Sequence, residues 1–144
     1  MHVEFGRVTG ATPDGRLDGE PLADSLGAAQ GRDRQGVTAL LNSVAKLPHA
    51  LLPTATTLNV KLDPRLLADE RGIDQVATLI EGHFASGGQQ CQFNLVTREM
   101  LLQARRNPEK HGDLMVRVTG YSAPFTALWP DLQDEIIART EHAL

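Results

Sequence analysis

From Gly36 onward the chain alternates two backbone periods that cannot occupy the same element. Period-two runs read as strands: Leu58, Val60 and Leu62 alternate with Asn59 and Lys61. Cys91, Phe93 and Leu95 alternate with Gln92 and Asn94, and Leu114, Val116 and Val118 alternate with Met115 and Arg117. Between them lie helical spacings. Val37, Leu40, Leu41 and Val44 share one face before Pro48; Ile73, Val76, Ala77, Ile80 and Phe84 share another before Gly87-Gly88. Asp63-Pro64 opens a short helical turn with Pro at its first position. Thr97 is placed to cap a helix carrying Met100, Leu101 and Ala104, which Asn107-Pro108 closes. A last helix is expected from Pro130, with Leu132, Ile136, Thr140 and Ala143 on one side. Strand-helix alternation of this kind specifies an α/β fold. Residues 1–35 show no such order. Gly10 to Arg16 is a turn built on Pro13 and Asp14-Gly15, and the segment reads as mostly loop. The chain therefore divides into a loop-rich part, 1–35, and an α/β unit, 36–144.

Charge and composition exclude several functions. The chain has 144 residues and a net charge of −4, from 14 basic and 18 acidic residues. That balance speaks against a nucleic-acid surface and against a polybasic membrane anchor. No run approaches the roughly 18 apolar residues of a membrane helix, and residues 1–8 lack a secretory signal. The single cysteine, Cys91, rules out an internal disulfide and fits a reducing compartment, so a cytoplasmic location is expected. No phosphate-binding glycine loop occurs, and no serine sits in a nucleophile-elbow context. Of the five histidines none pairs at i, i+4 with another, so no metal site is expected. The charged residues from Asp131 to Arg139 read as a solvated helix face.

One segment resists a purely structural account. In Leu114–Ser122 a strand runs directly into Thr119-Gly120-Tyr121. Periodicity alone makes Gly120 a strand end and turn start. However, Arg117-Val118-Thr119-Gly120-Tyr121 resembles the signature loop of glycyl radical enzymes. Gly87-Gly88 through Gln92-Phe93-Asn94 is similar to a strand of that family. Arg98 to Leu102 and Asn107 to Lys110 resemble the helix and turn that follow it. Gln133 to Ile137, with Arg139-Thr140, resembles the family's closing helix. Thr12 to Arg16, Gly31 to Asp33 and Ser43 to Leu47 extend the likeness upstream, so it covers roughly residues 7–142. The motifs are shared between the pyruvate formate-lyase group and the dehydratase and C–N lyase branch, with the second favoured.

The resemblance implies a fold, a radical and partners. The fold is the C-terminal portion of the family's α/β barrel, with the radical loop following a strand. Residues 1–35 correspond to the end of its large domain and 36–144 to its glycine radical domain. Gly120 is the implied site of the radical, with Arg117, Thr119, Tyr121 and Ser122 positioning the loop. No bound cofactor is implied. The radical is made on the protein by a radical S-adenosylmethionine activating enzyme with an iron–sulfur cluster. Glycine suits that role: an α-carbon radical is stabilised when planar and conjugated with both flanking peptides, and a Cβ crowds that geometry. The family passes the radical to a thiyl cysteine on a separate loop, and nothing in this sequence matches that loop. Cys91 lies within the strand motif, where it reads as a buried small apolar side chain beside Phe93 and Leu95. A partner chain carrying the thiyl cysteine and the substrate pocket is therefore implied, and turnover by this chain alone is not expected. Two alternatives remain: an inactive fragment or interaction domain that keeps the fold, and a spare-part cofactor that repairs pyruvate formate-lyase.

Overall fold

The computed structural model describes residues 2–52 and 56–142. In chain order the elements are α1 (His2–Arg7), α2 (Val37–Ala45), β1 (Asn59–Leu62), α3 (Glu70–Ala85), β2 (Gln92–Leu95), α4 (Arg98–Arg106), β3 (Met115–Arg117), β4 (Ser122–Pro124), α5 (Pro130–Ala138) and β5 (Glu141–His142). Strands β2, β1 and β5 form a parallel sheet in that spatial order, with Asn59 opposite Gln92 and Lys61 opposite Glu141. Strands β3 and β4 form a separate antiparallel hairpin, with Arg117 opposite Ser122. Parallel neighbours need a crossover, which α3 supplies between β1 and β2.

Local chemistry sets most of the element ends. The Thr97 hydroxyl accepts from the Met100 amide at 3.1 Å, and Asp69 accepts from the Gly72 amide at 2.8 Å. Asp63 caps the short turn at Pro64–Leu67 by accepting from the Arg65 amide at 2.9 Å. At the end of α3 the amides of Gly87 and Gly88 return to the carbonyls of Phe84 and His83, at 3.1 and 2.9 Å. Gly87 sits at φ +100°, which makes this a Schellman stop that needs glycine.

Two apolar clusters hold the layers together. Leu58, Val60 and Leu62 pack against Val37, Leu41 and Val44 of α2. Val116 and Val118 pack with Leu101, Phe125, Leu132 and Ile136. Fully burying a side chain such as Phe125 contributes about 1.5–3 kcal/mol. Because β1 is the central strand, both of its faces are covered, and Lys61 is buried alongside Val60 and Leu62.

The structure departs from the sequence reading at several places. The opening segment contains helix α1, whose Val3 joins the second cluster. The last helix stops at Ala138 and the chain returns as β5 beside β1; Ala143 lies outside the described residues. Strand β2 turns its polar side inward: Gln92 and Asn94 are buried while Leu95 is 39% exposed. Cys91 precedes the strand and is half-buried; of the apolar face expected with it, Phe93 packs against the first cluster but Leu95 is exposed. Finally, the charged residues from Asp131 to Arg139 divide: Asp134 is exposed as expected, whereas Glu135 and the Arg139 side chain are buried.

Candidate functional site

The Gly120 turn is the tip of the β3–β4 hairpin. The Val118 amide donates to the Tyr121 carbonyl at 2.9 Å, leaving Thr119 and Gly120 as the two loop residues. Gly120 takes φ +76°, a conformation that costs other L-residues about 1–2 kcal/mol. A Cβ built on Gly120 meets nothing within 4 Å. In this chain the tip is therefore exposed, not enclosed, and its α-carbon is open to approach.

Beneath the exposed tip, the base of the hairpin is fixed by buried side chains. Asn94 treats Arg117 as a strand neighbour would: its Nδ2 donates to the Arg117 carbonyl at 2.9 Å and its Oδ1 accepts from the Arg117 amide at 2.6 Å. That pairing explains why the polar side of β2 faces inward. Asn59 Nδ2 donates to the Val118 carbonyl at 2.8 Å. Arg139 donates to the same carbonyl at 3.1 Å and to that of Arg117 at 3.3 Å. Both carbonyls leading into the turn are thus held by side chains from the sheet and from the residue that ends α5.

The clamp has its own support. Arg139 meets Glu135 in a fork, Nε to Oε1 at 3.0 Å and an Nη to Oε2 at 2.9 Å. The same Nη lies 3.0 Å from Asp24 Oδ2. Gln30 donates to Glu135 at 3.1 Å, and the His2 ring lies 3.4 Å from it. Burial alone would raise the Glu135 carboxyl; His2 and Arg139 more than offset this and hold it below the usual carboxylate range. A cavity of about 40 Å³, bordered by Asp24, Asn59, Lys61, Arg139 and His142, lies within this polar layer and is large enough for water. Lys61 Nζ donates to the Ile137 carbonyl at 3.3 Å, and burial, partly offset by Glu141, pulls its ammonium below the ordinary lysine value.

The residues expected to position the loop divide into inward and outward sets. Thr119 points inward, its hydroxyl donating to Asp24 Oδ1 at 2.6 Å. The Arg117 side chain stays on the outer surface and donates to Ser122 Oγ at 3.0 Å; its contribution to the clamp is made through its backbone. Tyr121 is 49% exposed. Sequence reasoning missed Asp24, Asn59 and the clamping role of Arg139. Among the described residues no group of three or more His, Cys, Asp or Glu is placed to hold a metal ion.

The structure is thus a parallel α/β unit that presents a glycine-tipped hairpin, gripped at its base and open at its tip. The family model described as "Glycine radical" matches residues 22–126, which include the turn. The chain belongs to this glycyl radical family. It is 48% identical over 144 residues to the probable dehydratase YbiW of Escherichia coli (strain K12), covering 99% of this chain and 18% of that protein. It superposes on the glycerol-bound B12-independent glycerol dehydratase of Clostridium butyricum with a TM-score of 0.95 at 46% identity, covering 99% of this chain and 18% of that one. A structure of 1,2-propanediol dehydration in Roseburia inulinivorans gives 0.94 at 50% identity, with 98% and 18% covered. The chain thus spans less than a fifth of the length of these relatives, and its fold is that of a portion of the glycyl radical enzyme barrel. The relatives place it with the dehydratase branch.

Proposed function

We propose that this chain is the radical-bearing part of a glycyl radical lyase or dehydratase and that Gly120 carries the radical. The observation that supports this reading most is the open Gly120 α-carbon, at positive φ on a clamped hairpin inside the matched region. An activating enzyme that uses S-adenosylmethionine and an iron–sulfur cluster removes one hydrogen atom from that carbon. The glycyl radical later takes a hydrogen atom from a cysteine thiol outside this chain, which regenerates glycine and leaves a thiyl radical to attack the substrate. Close contact governs that transfer, so the clamp at the hairpin base serves the chemistry by fixing where the tip lies. Thr119 holds the tip from beneath, while Arg117, Tyr121 and Ser122 shape its outer side. The thiyl role is not assigned to Cys91, which lies half-buried ahead of β2 within the strand motif.

On this reading residues 1–35 are the end of a larger domain and 36–144 form the glycine radical domain. Dehydration of a small hydroxylated substrate is the whole-protein activity to which the relatives point. The single cysteine supports placing the chain in a reducing compartment, the cytoplasm, on this reading; among the described residues no helix is long and apolar enough to cross a membrane.

Oxygen tests the assignment. After anaerobic incubation with a competent activating enzyme, air should cut the chain at Gly120 into one long and one short fragment, identifiable by mass. An intact chain, or a cut elsewhere, removes the proposal.

A further inference from the structure

We propose that Asp24, from the irregular N-terminal segment, is a positioning residue that latches the Gly120 turn in one orientation. The inference rests on the reading of Gly120 as the reacting carbon. Thr119, Gly120 and Tyr121 form the tip beyond the clamped carbonyls of Arg117 and Val118. Of these, Thr119 alone makes a side-chain hydrogen bond to the body among the described residues, and Asp24 receives it at 2.6 Å. Tyr121 is half-exposed, Gly120 has no side chain, and the turn's own bond runs from Val118 to Tyr121. Without the Thr119–Asp24 bond no side-chain hydrogen bond among the described residues joins the tip to the body, while its base stays seated on Asn94, Asn59 and Arg139.

The surroundings of Asp24 require a carboxylate. Every polar group aimed at it is a donor or a ring nitrogen: Thr119 Oγ1 on Oδ1, and Asn59 Nδ2 at 2.7 Å and Arg139 at 3.0 Å on Oδ2. His2 Nδ1 lies 3.7 Å from Oδ1. The side chain is only 10% exposed. An asparagine there turns an NH2 group against at least one donor. Asp24 thereby joins a segment with no regular structure to the turn, the central strand and the end of α5 at once. The latch also confines motion. Breaking one bond frees the tip to pivot about its clamped base, with no loss of the core beneath it.

Amide hydrogen exchange on the full chain, read by NMR, tests the latch without any radical. The reporter is the Val118 amide, which closes the turn; the Ala104 amide in α4 reports global opening. Thr119→Val removes the hydroxyl and leaves the other contacts of Asp24 in place. It should speed exchange at Val118 by about tenfold or more, the loss expected for a hydrogen bond to a charged group, with Ala104 unchanged. Thr119→Ser keeps the hydroxyl and should restore slow exchange. Asp24→Asn should match or exceed the Thr119→Val effect at Val118. Unchanged Val118 exchange in Thr119→Val overturns the proposal, as does equal acceleration at Ala104 or failure of serine to rescue. Failure of Gly120 to form a radical is a separate result: it removes the reacting carbon and leaves the exchange data as they are.

Discussion

Replacing Arg139 by methionine separates a buried clamp from a solvated helix face. The guanidinium side chain is 9% exposed and its partners Glu135 and Asp24 are 2% and 10% exposed. Methionine keeps the length and apolar stem but removes the fork to Glu135, the contact with Asp24 and the bonds to the carbonyls of Arg117 and Val118. Removing one partner of a buried pair costs about 3–5 kcal/mol, because the other charge is left uncompensated. Here Glu135 keeps Gln30 and Asp24 keeps Thr119 and Asn59, so the lower end, about 3 kcal/mol, is expected. The control is Arg105→Met, which breaks the pair with Asp134. Those side chains are 42% and 64% exposed, and such pairs contribute about 0–1 kcal/mol. Urea unfolding followed by circular dichroism measures both. At a slope of about 1–3 kcal/mol/M, Arg139→Met should lower the midpoint by about 1 M or more with the slope unchanged. Equal, small shifts in the two variants would refute the clamp and restore the solvated-face reading.

The Glu135 carboxyl lies below its ordinary value of 4.5 in the folded chain, so its contribution to stability is present above that pH and is lost as pH falls through the folded value. Glu135→Gln should therefore show a shallower loss of stability below pH 4.5 in acid titration of the unfolding midpoint, and an equally steep loss argues against the assignment. Lys61 behaves in the opposite range. Its lowered value means that stability rises as pH climbs from the folded value toward 10.5, a rise that Lys61→Met should lack in the same assay at alkaline pH. Gly88→Ala drives a Cβ into the His83 ring at Nε2, which is 2% exposed and has no hydrogen-bond partner at either nitrogen among the described residues. The ring must move, and a loss of about 1–3 kcal/mol in urea unfolding is expected; no loss would show that the imidazole has room to shift.

Much of the fold was legible because local chemistry wrote it. The alternation at Val116 and Val118, the Thr97 cap, the Pro64 turn and the Gly87 stop all appear where residue type demands them. The turn itself was legible through resemblance, since its bare periodicity says only that a strand ends. What failed depends on contacts distant in sequence. Apolar alternation in β2 suggested an inward Leu95, whereas Asn94 is drawn inward by the backbone of Arg117. Glu135 and Arg139, spaced i, i+4, look like an exposed helical pair; only the carbonyls of the hairpin explain their burial. No Gly or Pro follows Ala138, so the end of α5 is set by where Arg139 must point and by the pairing of β5 with β1. Strand β4 is three residues, Ser122–Pro124, too short to show a period. Asp24 lies in a segment without period or cap, and its partner Thr119 is 95 positions away.

Electron paramagnetic resonance of the anaerobically activated chain tests the central claim most directly. Abstraction from Gly120 leaves one α-hydrogen on the radical carbon, so the spectrum should be a doublet that collapses to a singlet when the glycines carry deuterium at that carbon. Gly120→Ala should fold, because the new methyl meets nothing within 4 Å and the positive φ costs about 1–2 kcal/mol, yet it should give no doublet. A signal that survives in folded Gly120→Ala, or that ignores the deuterium, places the unpaired electron elsewhere and contradicts the account.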